Sequence, residues 1–235
     1  MKLKFQECSV QPRAFKLKGG SYRDELQMIY YLKKRVRIIK KHIIIAGVPR
    51  AGKSTVSKRI VKNYGYQHIS MDSVIAGIEK TFPETGVDTN ASDRLPEDNL
   101  RYISSKMGPF IRAMMNSGEY NECDYGMVID IHQLLPEDYV KYIDPKICDI
   151  YYFITSDVTP EERFELLKRY DTPDDYTYYH SDEENYQDCV DIVELSKLFK
   201  TQCETYHLPY YETTNDRFGV IDAFIKKLGE KTNEE

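Results

Sequence analysis

Short apolar runs separated by amphipathic stretches dominate this chain between residues 42 and 228. Ile43-Ile44-Ile45-Ala46 is wholly apolar and β-branched, the composition of a strand buried on both faces of a parallel sheet. Behind it Val56, Ile60 and Tyr64 recur at i, i+4 and i+8, with Lys58, Arg59 and Lys62 on other faces. That spacing predicts an amphipathic helix, and Gly65 stands where its C-terminal stop belongs. Tyr66-Gln67-His68-Ile69-Ser70 predicts a second short strand ending at Met71-Asp72. Residues 73 to 95 contain Gly77, Pro83 and Gly86 and predict a helical turn followed by a loop. Pro96, with Glu97 and Asp98 behind it, opens a helix through Leu100, Ile103, Met107, Ile111 and Met114-Met115. Gly108-Pro109 is expected to bend or divide that helix.

Two further strands are predicted at Met127-Val128-Ile129-Asp130-Ile131 and Ile150-Tyr151-Tyr152-Phe153-Ile154. Thr159-Pro160-Glu161-Glu162 is a capping box with proline at N1, opening a helix to about Tyr170. Residues 171 to 188 are rich in Asp, Glu and Tyr and predict a mobile loop. A helix follows from about 184 to 206, through Ile192, Leu195, Phe199 and Cys203. Leu208-Pro209-Tyr210-Tyr211 predicts the last strand, and Val220, Ile221, Phe224, Ile225 and Leu228 the apolar face of the last helix. Strands alternating with helices predict an α/β fold with one doubly wound, mostly parallel sheet of five strands. Ahead of it, residues 1 to 20 read as irregular or as an edge strand. Ser21 caps a helix through Leu26, Ile29, Tyr30 and Lys33. Residues 1–41 are thus expected to be an extension packed on a core domain of residues 42–235.

Composition narrows the picture mainly by exclusion. The 235 residues suffice for one α/β domain with insertions. A net charge of −5 argues against general binding to nucleic acid or anionic membrane. The basic run Lys33, Lys34, Arg35, Arg37, Lys40 and Lys41 falls in a C-terminal helical turn, where the dipole favours cations, and reads as a solvated end. No apolar run approaches the roughly 18 residues of a membrane span, and no signal-peptide core is present. The five cysteines are odd in number, scattered and never spaced C-x-x-C, which suits reduced thiols in a cytoplasmic protein. Twenty tyrosines and no tryptophan point to no function.

Candidate chemistry gathers at Gly47-Val48-Pro49-Arg50-Ala51-Gly52-Lys53-Ser54, which fills the pattern G-x-x-x-x-G-K-[ST] between the first strand and the first helix. The glycines let the backbone turn tightly, so that successive N–H groups and the helix N-terminus point at phosphate. Lys53 is expected to reach the β- and γ-phosphates, and the Ser54 hydroxyl to ligate Mg²⁺, with Thr55 beside it. Asp72 and Asp130 lie at the carboxyl ends of two predicted strands, where a doubly wound sheet forms its crevice. Asp72 is the candidate general base and Asp130 the candidate acid near the metal; the sequence leaves the roles exchangeable, and a helix cap is the structural alternative for each. His132 reads as a polar neighbour.

With these residues in view, the chain resembles the small-molecule P-loop kinases of the adenylate-kinase-like group. The segment "HISMDSVIAGIEKTFPETG" is similar to that of chloramphenicol phosphotransferase-like proteins, where an aspartate after the second strand is the base. The resemblance covers roughly residues 42 to 228 and implies a helical lid at about 159–188 and acceptor-site helices at about 92–117. It implies lid arginines at Arg163 and Arg169, although six residues along a helix turn the second side chain about 240° from the first. It also implies that the segment with Thr214 borders adenine. Arg94, Arg101 and Arg112 are candidates for holding an anionic acceptor. The acidic loop at 171–188 would repel a phosphate-bearing acceptor and so favours an alcohol. The expected activity is ATP- and Mg²⁺-dependent phosphoryl transfer to a hydroxyl of a small molecule. A nucleoside or nucleoside-monophosphate kinase and a nucleotide-operated switch are the alternatives, and the guanine motif N-K-x-D is absent. The oligomeric state is open, a homo-oligomer included.

Overall fold

The computed structural model describes residues 41–117, 126–173 and 175–234. The predicted N-terminal elements, the basic run up to Lys40, and Cys8 and Cys123 lie outside these residues. Within them the order is β1 (His42–Gly47), α1 (Lys53–Tyr64), β2 (Gln67–Ser70), α2 (Met71–Thr81), α3 (Pro96–Met115), β3 (Met127–Ile131), α4 (Pro136–Tyr142), β4 (Cys148–Ile154), α5 (Pro160–Tyr170), α6 (Asp182–Thr205), β5 (Tyr210–Glu212) and α7 (Arg217–Glu234).

The five strands form one sheet in the order β2-β3-β1-β4-β5. All four pairings are parallel, so the sheet is fully rather than mostly parallel. β1 is its central strand and every residue of β1 is buried, as its unbroken apolar run requires when helices cover both faces. Register sets Ile44 between Ile129 of β3 and Ile150 of β4. It also sets Ser70 beside Asp130, so the acids at 72 and 130 belong to adjacent strand ends.

α1 and α7 pack together, and α3, α4 and α6 form a second group. Phe153, Tyr211, Tyr151 and Phe224 make a ring cluster between β4, β5 and α7, with Phe153 stacked on Tyr211 at 5.2 Å. Tyr66, Tyr139 and Tyr152 are buried in the core, and Tyr151 and Tyr211 pack against it. Among the described residues Cys148, Cys189 and Cys203 are free, buried thiols, as their spacing suggested.

Three local expectations need correction. The turn after Asp72 is a full helix of 11 residues, because Met71 and Ile75 are buried and Val74 and Ile78 pack beside them, while Gly77 meets nothing. Gly108-Pro109 does not divide α3, which runs through Pro109 as one element of 20 residues. Gly108 serves a different purpose, since a Cβ there would lie 2.5 Å from the Tyr142 ring of α4. The loop at 171–188 is shorter than expected and structured: a 3-10 turn at Tyr176–Tyr179 leads to Ser181, whose capping box with Glu184 starts α6.

Candidate functional site

The turn that leaves β1 is shaped by two glycines and one strained arginine. Gly47 has φ 118°, and a Cβ on it would fall 2.0 Å from the main-chain oxygen of Phe153. Gly52 has φ 95°, and its Cβ would meet Ile221 of α7 at 2.8 Å. Arg50, at φ 59°, takes the left-handed conformation without a glycine's freedom. The Arg50 guanidinium pairs with Asp171 and Asp175 at 3.1 Å each and donates to Thr177 Oγ1 at 2.8 Å. Arg217 of α7 donates to the Arg50 carbonyl at 3.1 Å. The loop is thereby clamped from the α5–α6 connection and from α7.

Lys53, only 7 % exposed, opens α1 and donates to Val48 O at 2.8 Å. Burial lowers its pKa, with Asp130 and then Asp72 opposing and Arg163 adding to the fall. Lys53 thus feels the charges of Asp130, Asp72 and Arg163. Ser54 and Thr55 are exposed on the first turn of α1. Asp72 sits in the first turn of α2, inside the helix rather than at its cap, Ser70. It is solvent-facing, yet the crevice walls desolvate its carboxyl enough to raise its pKa; Lys53 opposes, Asp130 adds, and the His132 main-chain N–H opposes.

Asp130 is 4 % exposed, and its Oδ1 has no hydrogen-bond partner. His68 of β2 stands 3.9 Å from the other oxygen. His132 is held neutral down to a pKa of about 3, by burial and by the Lys53 charge. Its ring tilts against Phe199 of α6 at 6.4 Å.

The capping box predicted at Thr159 and Glu162 is present and starts α5. One turn on, Arg163 donates to Thr155 Oγ1 at the end of β4 and to Pro49 O in the loop at 3.1 Å. Arg169 is exposed in the last turn of α5 with no polar contact among the described residues, consistent with the rotation that separates the two arginines. Thr214 is fixed by Glu212, which accepts from its N–H and hydroxyl. It lines a cavity of about 290 Å³ between α5, α6 and the segment 213–218. Arg50, Arg163, Leu166, Leu167, Asp188 and Phe218 also line that cavity. The contribution of α6 had no sequence signal, because its wall is made by packing on α5.

The acceptor-side arginines are largely committed. Arg94 donates to Gly86 O and Asn99 Oδ1 at 3.1 Å each and covers the Tyr102 ring. Arg101 is paired with Glu97 and Glu137. Arg112 is exposed in the last turn of α3. Asp171 and Asp175 likewise engage Arg50, which offsets part of the negative charge of the 171–188 segment.

Among the described residues no cluster of three His, Cys, Asp or Glu forms a ready-made metal cage. A divalent ion held by one hydroxyl, phosphate oxygens and water needs no such cage. The orphaned Asp130 Oδ1 beside Lys53 suits a metal-bound water, and the open Ser54 hydroxyl suits the ion itself. No described helix is long and apolar enough to cross a membrane.

No family model and no curated protein matches the chain. Among solved structures it is similar to a shikimate kinase from Bacteroides thetaiotaomicron, with 15% identity, TM-score 0.46, and 82% of this chain and 98% of that one covered. It is similar to a gluconokinase from Sinorhizobium meliloti 1021, with 16% identity, TM-score 0.41 and coverage of 83% and 97%. It is also similar to a sugar kinase from Janibacter sp. HTCC2649, with 12% identity, TM-score 0.44 and coverage of 81% and 95%.

Proposed function

We propose that the chain is a phosphotransferase that moves the γ-phosphoryl group of ATP to a hydroxyl of a small molecule. The observation that carries this reading is that Lys53, Asp72 and Asp130 stand at the adjoining ends of β1, β2 and β3, beside the glycine-bounded turn, where Lys53 feels both carboxylates. A nucleotide-operated switch needs the turn and the lysine but no second carboxylate able to take an acceptor proton.

In this reading the main-chain amides of residues 47–54 hold the phosphate chain, and Lys53 neutralises charge on the transferring group. Arg163, already bonded to Pro49 O, presents its guanidinium from the lid side. The cavity edged by Thr214 and Phe218 takes the base. Ser54 and Asp130 would hold Mg²⁺, which would supply charge neutralisation to the phosphates. Asp72 accepts the hydroxyl proton as the acceptor oxygen bonds to the γ-phosphorus and the β–γ bridging bond breaks, releasing ADP. Lid closure by α5 and placement of the acceptor against α3 belong to the same proposal, as does the division into an N-terminal extension and a kinase domain.

Titration calorimetry with ATP, ADP and GTP in magnesium, followed by ADP release over a panel of alcohols, tests the reading. Uptake of nucleotide and acceptor-dependent release are expected. Lys53→Met is expected to lower turnover by about 10²–10³-fold or more, since a transition-state cation is lost. No uptake of any nucleotide would overturn the proposal. Hydrolysis at one rate whatever acceptor is present would favour a switch instead.

A further inference from the structure

Three side-chain atoms at the carboxyl end of β3 are buried and lack a hydrogen-bond partner: Asp130 Oδ1, His132 Nε2 and Gln133 Oε1. Buried polar atoms are almost always paired, so three orphans within four residues call for a ligand or water that pairs them. The backbone that carries them is fixed. Leu134 N–H bonds His132 O at 2.9 Å, and Leu135 N–H bonds Ser104 Oγ of α3 at 2.8 Å. Ser104 in turn donates to Asp138 of α4 at 2.5 Å. Register pairs Ile131 with Ala46 and Asp130 with Ser70, so this strand end lies beside both the turn that leaves β1 and the start of α2 that carries Asp72.

Resting on the kinase reading above, we propose that His132 and Gln133 form the floor of the acceptor site and take an uncharged acceptor with at least two hydroxyl groups. A hydroxyl both donates and accepts, so it satisfies Nε2 in either tautomer of the ring. Gln133 Oε1 accepts only and needs a second donor, which another hydroxyl supplies. A carboxylate or phosphate oxygen placed against Gln133 Oε1 has no hydrogen to give and would set oxygen against oxygen, so an anionic group on the acceptor must find its partners elsewhere. The cations such an anion would need are spent: Arg94 on Gly86, Asn99 and Tyr102, and Arg101 on Glu97 and Glu137. Arg112 stands about three helical turns beyond Arg101, in the last turn of α3. One acceptor hydroxyl on the floor leaves a neighbouring one to face Asp72.

The test is initial-rate ADP release by the wild-type chain with glycerol, D-ribose, D-glucose and myo-inositol, set against glycerol 3-phosphate, D-ribose 5-phosphate and D-gluconate. At least one uncharged polyol is expected to raise the rate well above its charged counterpart. With that polyol, His132→Phe and Gln133→Leu are each expected to raise the acceptor KM about 10- to 100-fold, while the ATP dissociation constant stays within about twofold. His132→Asn, which keeps a polar atom, is expected to recover part of the loss. Stimulation by the charged compounds alone overturns the proposal, as does an unchanged acceptor KM in folded variants. Silence of the whole panel from a chain that binds MgATP counts against it as well. Absence of nucleotide binding instead defeats the underlying kinase reading. If a variant fails to fold, the wild-type preference between polyols and their charged counterparts decides.

Discussion

Asp72 and Asp130 come from adjacent strand ends but stand in different surroundings. Asp130 is enclosed and keeps one orphaned oxygen, whereas Asp72 faces solvent and feels Lys53. A proton acceptor must exchange with its substrate and with water, and Asp72 has that access. In the proposed role as base it works only when deprotonated, so turnover is expected to fall as pH drops through its pKa, which burial raises above the ordinary carboxylate value. A pH–rate profile is therefore expected to show an acid limb displaced upward from the ordinary range. Asp72→Asn should remove that limb and reduce transfer by roughly 10²–10⁴-fold with ATP binding nearly intact. Gly47 makes the other residue-scale case. Its missing Cβ would collide with a main-chain oxygen, which cannot rotate aside as a side chain can. Gly47→Ala is expected to cost about 3 kcal/mol or more, read as a lowered urea midpoint with an unchanged slope.

At the scale of elements, α5 shows how a local signal reaches the site. Its capping box satisfies the first turn's N–H groups and fixes where Arg163 leaves the helix to meet Pro49 and Thr155. Thr159→Ala is expected to lower stability by about 1 kcal/mol, measured by thermal or urea unfolding. α4 gives the opposite lesson. Leu135-Pro136-Glu137-Asp138 repeats the tetrapeptide Leu95-Pro96-Glu97-Asp98 that starts α3, so the same rule marks its start, although the short element lacks the long apolar periodicity that identifies α3. Gly108-Pro109, a signal for division, does not divide α3. Tertiary packing of Tyr142 into the glycine's space, with Ile103, Met107 and Ile111 buried, holds one continuous helix despite the missing N–H.

For the whole molecule, the clamp on the turn between β1 and α1 joins distant parts of the chain. Arg50 links that turn to Asp171, Asp175 and Thr177, and Asn185 of α6 holds Thr177 O at 2.9 Å. Arg50→Ala is expected to speed amide hydrogen exchange in residues 171–180 while exchange in β1, β3 and β4 stays unchanged. The apolar strands, the glycine-bounded turn and the capping box are each a pattern of neighbours, with energetics settled within a turn or two of chain. The sequence alone therefore determined that strand, loop and helix follow one another at 42–64, that five strands alternate with helices, and that a helix opens at Pro160. Strand order, the pairing of Arg50 with the 171–177 acids, the commitment of Arg94 and Arg101, and the orphaned atoms at the end of β3 depend on residues far apart in the chain. Only the tertiary structure decided them, because hydrogen-bond supply and demand is settled by what packing brings together and not by what sequence places side by side.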